Sequence, residues 1–438
     1  MNNTPYTKGN RLPGEKASKL GHLEVIKSEL VKKLIKEFKT EYHPETQPKE
    51  SWEPFLAEGA PLDIIFAVDG SYAEINSDYL PRRKVAFIKT ALIRLDQKAL
   101  SKIDHESPHP LELRDLMTNS AVYHATALPL KNITLPDLNV YDTVRNIIFE
   151  SIRDPALGSE AMETLKWIAF EKWSEDRKKL PEFDCPHCRD TVATLDYDTE
   201  TGECPNCHGK LLITDMLGFH QDMAPDVARD TVVNSYMIIH EMLLLFTGIR
   251  YYWEHNKEIL KHCLFIKDGP LSIRAQYSKL VNPIRRFFEY AKKHGIEIFV
   301  LGQEKTGAFW DHLEVIHEHA PMESIFIPGD HYIKSEIQSR NLSGAPYGKD
   351  TNYGAKILIK LNNYHHSVLN IPIGSFNANP KQEDLIGYER IFATIPTILS
   401  GRYEGALLPI ELANGIASLS TYPSAQILKL FGESVDAV

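Results

Sequence analysis

The chain reads as an α/β protein with parallel strand pairing and one inserted metal-binding module. Three observations predict this. Short apolar runs alternate with helical periodicity, as in "HCLFIKDG", "SKLVNPIRRFFEYAKKHG" and "IEIFVLG", the order that builds strand–helix–strand units. Four of the five cysteines fall in two C-x-x-C units. Two apolar strands run directly into Asp-Gly, at Asp69 and at Asp268.

The 438 residues are 43% hydrophobic and 10% aromatic, enough for a large core, and the formal net charge is −10. That balance excludes a protein that coats DNA through bulk positive charge. Apolar stretches are short or carry charge, as in "MIIHEMLLLF", so no bilayer span is expected. The polar N-terminus "MNNTPYTKGNRLPGEK" lacks an apolar signal core, and a cytoplasmic, soluble protein is expected.

Residues 1–17 read as flexible. From Ser18 to about Tyr42, apolar residues Leu20, Leu23, Ile26, Leu30, Leu34 and Phe38 recur at three- and four-residue spacing, predicting an amphipathic helix. After a Pro-rich joint comes the strand "IIFAVDG", then a longer one, "KVAFIKTALIRLD". The segment 97–140 reads as mixed and Pro-rich. Helices are predicted over "YDTVRNIIFESIRD", "SEAMETLKWIAFEKW" and "DVARDTVVNSYMIIHEMLLLFTGI", late strands over "AKILIKL" and "SVLNIPIG", and a closing helix from Pro409. The domain reading is an N-terminal helical segment (1–58), a first core part (59–180), a zinc ribbon (181–215) and a second core part (216–438).

Cys185-x-x-Cys188 and Cys204-x-x-Cys207 are separated by fifteen residues. Each pair forms a knuckle presenting two thiolates, and four thiolates close the tetrahedral shell of a structural zinc. With four cysteines, His187 and His208 are not needed as ligands. Cys263, on an apolar strand, reads as a core residue. The histidines of "HLEVIHEHA" do not match H-E-x-x-H and read as helix surface.

Ligand and active sites of open α/β sheets collect outside the carboxyl ends of strands. Asp69 and Asp268, each placed at a strand tip, are therefore candidates to share Mg²⁺ or Mn²⁺ through carboxylate oxygens. A third acid is expected: Glu241, a charge on an apolar helix, with Glu150 and Glu163 as rivals. Lys305, after the strand "IFVLGQE", is placed to contact a phosphate. The G-x-x-x-x-G-K-[ST] spacing is absent, so no ATP site is expected.

In order along the chain, "AVDGS" with Asp69, the helix glutamate, "IKDGPL" with Asp268, "LGQEKTG" with Lys305, and Pro409, Leu412 and Gly415 together resemble the NurA family of nucleases, over about residues 60–420. The resemblance implies an RNase H-like core with a mixed sheet that hydrolyses DNA using Mn²⁺ or Mg²⁺. Asp69, Asp268 and Glu241 would be its ligands, with two ions bridged by the two aspartates. It implies a homodimer working with a HerA-type hexameric, DNA-translocating ATPase, in DNA end processing or phage defence. The family's C-terminal Tyr and His are replaced by Leu408 and Ile416; Tyr353, His365 and His366 are the candidates to substitute. A non-catalytic zinc-ribbon DNA-binding or adaptor subunit is the other function class open to this sequence.

Overall fold

The computed structural model describes residues 25–38, 51–55, 57–76, 81–100, 121–175, 180–224, 227–228, 230–338, 342–403, 405–419 and 427–428. The flexible tail expected over 1–17 lies outside them, as do both ends of the predicted N-terminal helix. The chain divides into two units, Met1–Glu50 and Ser51–Val438. In the first, helix α1 (Glu29–Glu37) is capped by Ser28 and has no buried residue.

The second unit is built on a mixed sheet. Its long strands are β1 (Ile64–Asn76), β2 (Lys84–Asp96), β3 (Ala121–Lys131), β4 (Cys263–Asp268) and β5 (Phe299–Glu304), followed by β6 (Ser324–Phe326), β7 (Ala355–Lys360) and β8 (His366–Ile371). They lie side by side as β3-β2-β1-β4-β5-β8-β7-β6, with short two-residue strands at both edges. β1, β2 and β3 form an antiparallel meander, while β4 is parallel to both β1 and β5. This 3-2-1-4-5 core is the RNase H-like arrangement expected. The parallel pairing read from the alternation covers three strands only; β8, β7 and β6 add on antiparallel.

Helices cover both faces: α2 (Val140–Arg153), α3 (Glu160–Ala169), α4 (Asp230–His255), α5 (Val281–Lys293), α6 (Ala308–Ile316), α7 (Tyr388–Thr394) and α8 (Leu408–Ala417). In β1, Phe66 and Val68 join a core with Met242, Phe246 and other residues of α4, whereas Ile65 and Ala67 join another with Ile410 and Leu412 of α8. A strand buried on both faces must be apolar at every position, which is why Ile64–Val68 shows no alternation. Helix α4 alone, among the described residues, is long and apolar enough to cross a membrane, and 72% of its most apolar window is buried inside the protein. It is the central core helix.

β3 falls in the segment read as mixed. Pro129 argued against a strand there; it sits where the β2–β3 register shifts, between Lys84 and Val85, and bulges are among the few places a sheet accepts proline. The cysteine segment forms two small hairpins, Glu182–Asp184 with Val192–Thr194 and Thr201–Glu203 with Lys210–Leu212. Phe183, Leu195 and Leu211 share the core containing α4, so the module is packed into the body. Arg145 of α2 pins it with two 2.9 Å bonds to Asp215, both residues being buried. Tyr141 adds a 2.6 Å bond to the carbonyl of Pro186.

Candidate active site

The side chains alternate along each strand, and this decides where the acids point. Asp69 follows Ile65 and Ala67 onto the α8 face, and Asp268 follows Leu264 and Ile266 onto the same face. Gly70 and Lys267 fall on the α4 face, which carries Phe66 and Phe265. The parallel ladder between β1 and β4 stops at Val68–Lys267, so the next residues, Asp69 and Asp268, stand level where β4 ends.

One expectation is corrected here. Asp69 is not at a strand tip: β1 continues seven residues on, to Asn76, paired with β2 throughout, Asp69 opposite Ala91. "Asp-Gly" at 69–70 is thus strand rather than turn. Gly70 is required for another reason. A Cβ there would stand 2.6 Å from Glu241 Oε1 and 2.7 Å from Met237 Cγ, so its absence lets α4 approach the sheet.

The structure gathers Asp69, Glu241, Asp268 and Lys305 around one open cavity of about 710 Å³, lined also by Lys267, Arg274, Glu304 and Asn414. Asp69 is 5% exposed. Its Oδ1 accepts the Gly70 N–H at 2.7 Å, while Oδ2 is buried with no hydrogen-bond partner. Burial, reinforced by the negative charges of Asp268 and Glu241, pushes its pKa up to about 7. Glu241 is equally buried, and burial raises its pKa against the pull of Lys267. Lys267 Nζ lies 2.9 Å from Glu241 Oε2 and donates to the Asp268 carbonyl at 2.7 Å. Lys305 Nζ lies 3.3 Å from Asp268 Oδ1 and is one-third exposed.

The rival acids are elsewhere: Glu150 is exposed on α2, and Glu163 pairs with Lys166 at 3.0 Å. The candidates to replace the missing Tyr and His do not line the cavity. Tyr353 is 1% exposed in the aromatic core beside Phe246, His365 bonds Asn362, and His366 bonds Glu314 at 2.6 Å and stacks on Trp310 and His317. On α8, Leu408 is buried and the residue that reaches the cavity is Asn414. Lys89 of β2 holds the C-terminal end of this helix through the Ile416 carbonyl at 2.6 Å.

Lys267, Arg274, Glu304 and Asn414 of the cavity escaped the sequence reading. Lys267 looks like an ordinary strand position before Asp268; its signal was a lysine within an apolar run. Glu304, beside Lys305, is buried and paired with Lys356 and Asn370.

The four cysteine sulfurs lie within 4.8 Å of one another. Cys185–Cys207 is 3.7 Å and Cys188–Cys204 is 3.9 Å. A tetrahedron with zinc–sulfur bonds of about 2.3 Å has edges of about 3.8 Å, so the thiols fit one zinc ion with no position left for substrate. His187 instead turns to the Lys210 carbonyl at 2.9 Å. Among the described residues this is the one group of three or more potential ligands brought so close; the three acids of the cavity stand farther apart.

No family model matches the chain, and no curated protein does. Among solved structures, "Crystal structure of the NurA nuclease from Sulfolobus solfataricus" aligns over 96% of this chain and 98% of its own, at 11% identity and a TM-score of 0.37. "Crystal structure of NurA bound to dAMP and manganese" aligns over 96% and 95%, at 12% identity and a TM-score of 0.29.

Two outcomes follow from the geometry. Replacing Cys185 or Cys204 by Ser is expected to release about one zinc per chain, read by elemental analysis after chelator-free purification; wild-type protein without zinc contradicts the site. The second concerns Asp69, whose pKa rises from 3.8 to about 7 on folding. Between those values the folded chain keeps a proton that the unfolded chain has lost, so stability falls as pH rises through this window. Asp69→Asn carries no such penalty. In zinc-loaded protein free of other divalent ions it is expected to be more stable than wild type by on the order of 3 kcal/mol at about pH 8, with the gap closing near pH 4. Urea unfolding showing no gain at the higher pH would count against a buried Asp69.

Proposed function

We propose that this chain is a metal-dependent DNA nuclease of NurA type. The observation that carries the reading is Asp69 Oδ2: a carboxylate oxygen buried without a partner, on a residue that lines the open cavity at the end of β4. Buried charge is retained where it is paired or coordinates a cation. The donor set is hard carboxylate oxygen from Asp69, Asp268 and Glu241, which suits Mn²⁺ or Mg²⁺. When bound, such an ion supplies Lewis-acid stabilisation of a phosphoryl oxygen and lowers the pKa of water.

The protein's own groups account for the remainder. Asp69 and Asp268, level on neighbouring strands, would hold the cation, and Glu241 would face it from α4. Lys305, one-third exposed on the rim and turned toward Asp268, would orient the scissile phosphate and meet charge developing on it. Arg274, also lining the cavity, would hold a neighbouring phosphate. The cysteine module would bind zinc in a structural role.

The partners are proposed on the sequence resemblance and on charge. Non-specific affinity for DNA comes from phosphate neutralisation by Lys and Arg, and a chain of net charge −10 has little of it to spare. A homodimer fed by a HerA-type hexameric ATPase in the cytoplasm, in end processing or phage defence, fits that deficit. The exposed α1, with Lys32, Lys33 and Lys36, is the proposed docking segment. One observation favours the adaptor reading instead: Leu408 and Ile416 carry no proton-transfer group, and Asn414 is the residue of α8 at the cavity.

Asp69→Ala and Asp268→Ala are each expected to reduce Mn²⁺-dependent DNA cleavage by about a hundredfold or more, with zinc content unchanged. Wild-type cleavage by either variant would place the chemistry elsewhere. DNA binding by the wild type without cleavage in either ion would support the adaptor reading.

A further inference from the structure

Lysine 267 has no part in the chemistry proposed above, yet it is among the most buried charges of the molecule, 2% exposed. Such a lysine is expensive unless its charge is answered. It is answered by two oxygens: Glu241 Oε2 at 2.9 Å and the Asp268 carbonyl at 2.7 Å. An ammonium holding a carboxylate from the helix and a carbonyl from the strand end occupies a cation position between the two elements that carry the site's acids.

We propose that Lys267 stands in for a second metal ion, so that this site holds one divalent ion per chain, on the side of Asp69. The proposal rests on the metal-dependent reading above and departs from the pair of bridged ions expected from the sequence. Three observations converge on it. The first is the division by strand pleat: Lys267 and Glu241 meet on the α4 face, while Asp69 and Asp268 share the α8 face. The second is the tally of partners. Glu241 has Lys267 and Asp268 has Lys305, whereas Asp69 Oδ2 has none. The third is charge. Asp69, Glu241 and Asp268 face Lys267, Lys305 and Arg274 across the cavity, and Glu304 is offset by Lys356, so the lining is about neutral when all are ionised. One divalent ion supplies the positive charge that a phosphodiester needs. A second would add two more charges beside the buried Lys267, with no further carboxylate to answer them.

Lys267 is thus a positioning residue: it fixes Glu241 and the Asp268 backbone without touching substrate. The test counts ions rather than turnover. Zinc-loaded full-length protein is titrated with Mn²⁺ alone, and free Mn²⁺ is followed by its solution EPR signal. Wild type is expected to bind one Mn²⁺ per chain, lost in Asp69→Asn. Lys267→Met removes the ammonium, frees Glu241 and is expected to bind two. The double variant Lys267→Met with Glu241→Gln, which buries no unpaired charge, is expected to return to one. Two ions in the wild type, one in folded Lys267→Met, or two in the double variant would each overturn the proposal. No Mn²⁺ bound by wild type would instead sink the metal-dependent reading on which the proposal rests.

Discussion

A carboxylate buried between two apolar layers is costly unless a cation meets it, and the site depends on how this protein handles that cost at Asp69. The residue is 5% exposed on a strand covered by α8 on one face and α4 on the other. Burial pushes its pKa up to about 7, and the negative charges of its neighbours Asp268 and Glu241 add to that cost. Each of those neighbours has its own lysine. Asp69 does not, although a glycine N–H steadies one of its oxygens. An electrostatic cost of this kind, set beside an open cavity where β4 ends, is what the proposed cation would relieve.

The remainder of the fold holds that arrangement still. Gly70 allows α4 within reach of β1, and so sets Glu241 against the strand. Lys89 and Ser71 tie the end of α8 to the β1–β2 ribbon, which presents Asn414 to the cavity. The cysteine module works at a distance. It clamps α2 through the buried Arg145–Asp215 pair, and its apolar residues belong to the core that contains α4. Breaking the cysteine cluster would therefore loosen the layer against which Glu241 is held.

How much of this could be read from sequence depended on local contrast. Asp69, Glu241 and Asp268 stood out as charges against apolar runs, and the structure brings all three to one cavity with Lys305. The two C-x-x-C units were equally plain, because their chemistry is local. What escaped was set by pairing at long range. Asp69 looked terminal because Gly-Ser follows it, but β2 keeps the strand going to Asn76. β3 was hidden by Pro129, which only a register shift makes tolerable. Lys267 passed as an unremarkable residue because its partner lies 26 positions earlier, on α4. The search for a substitute Tyr or His failed for a similar reason: Tyr353 packs edge-on against Phe246 and His366 stacks on Trp310, and nothing in their immediate sequence says so.

The central claim is that the buried oxygen of Asp69 meets a divalent cation on the face it shares with Asp268. Anomalous diffraction at the manganese edge, from crystals of the zinc-loaded chain grown with Mn²⁺, tests it most directly. The account predicts one manganese peak per chain within bonding distance of Asp69 Oδ2, with the Lys267–Glu241 pair intact beside it. Crystals saturated with Mn²⁺ that show no peak at Asp69, or that place manganese between Glu241 and a displaced Lys267, would contradict it.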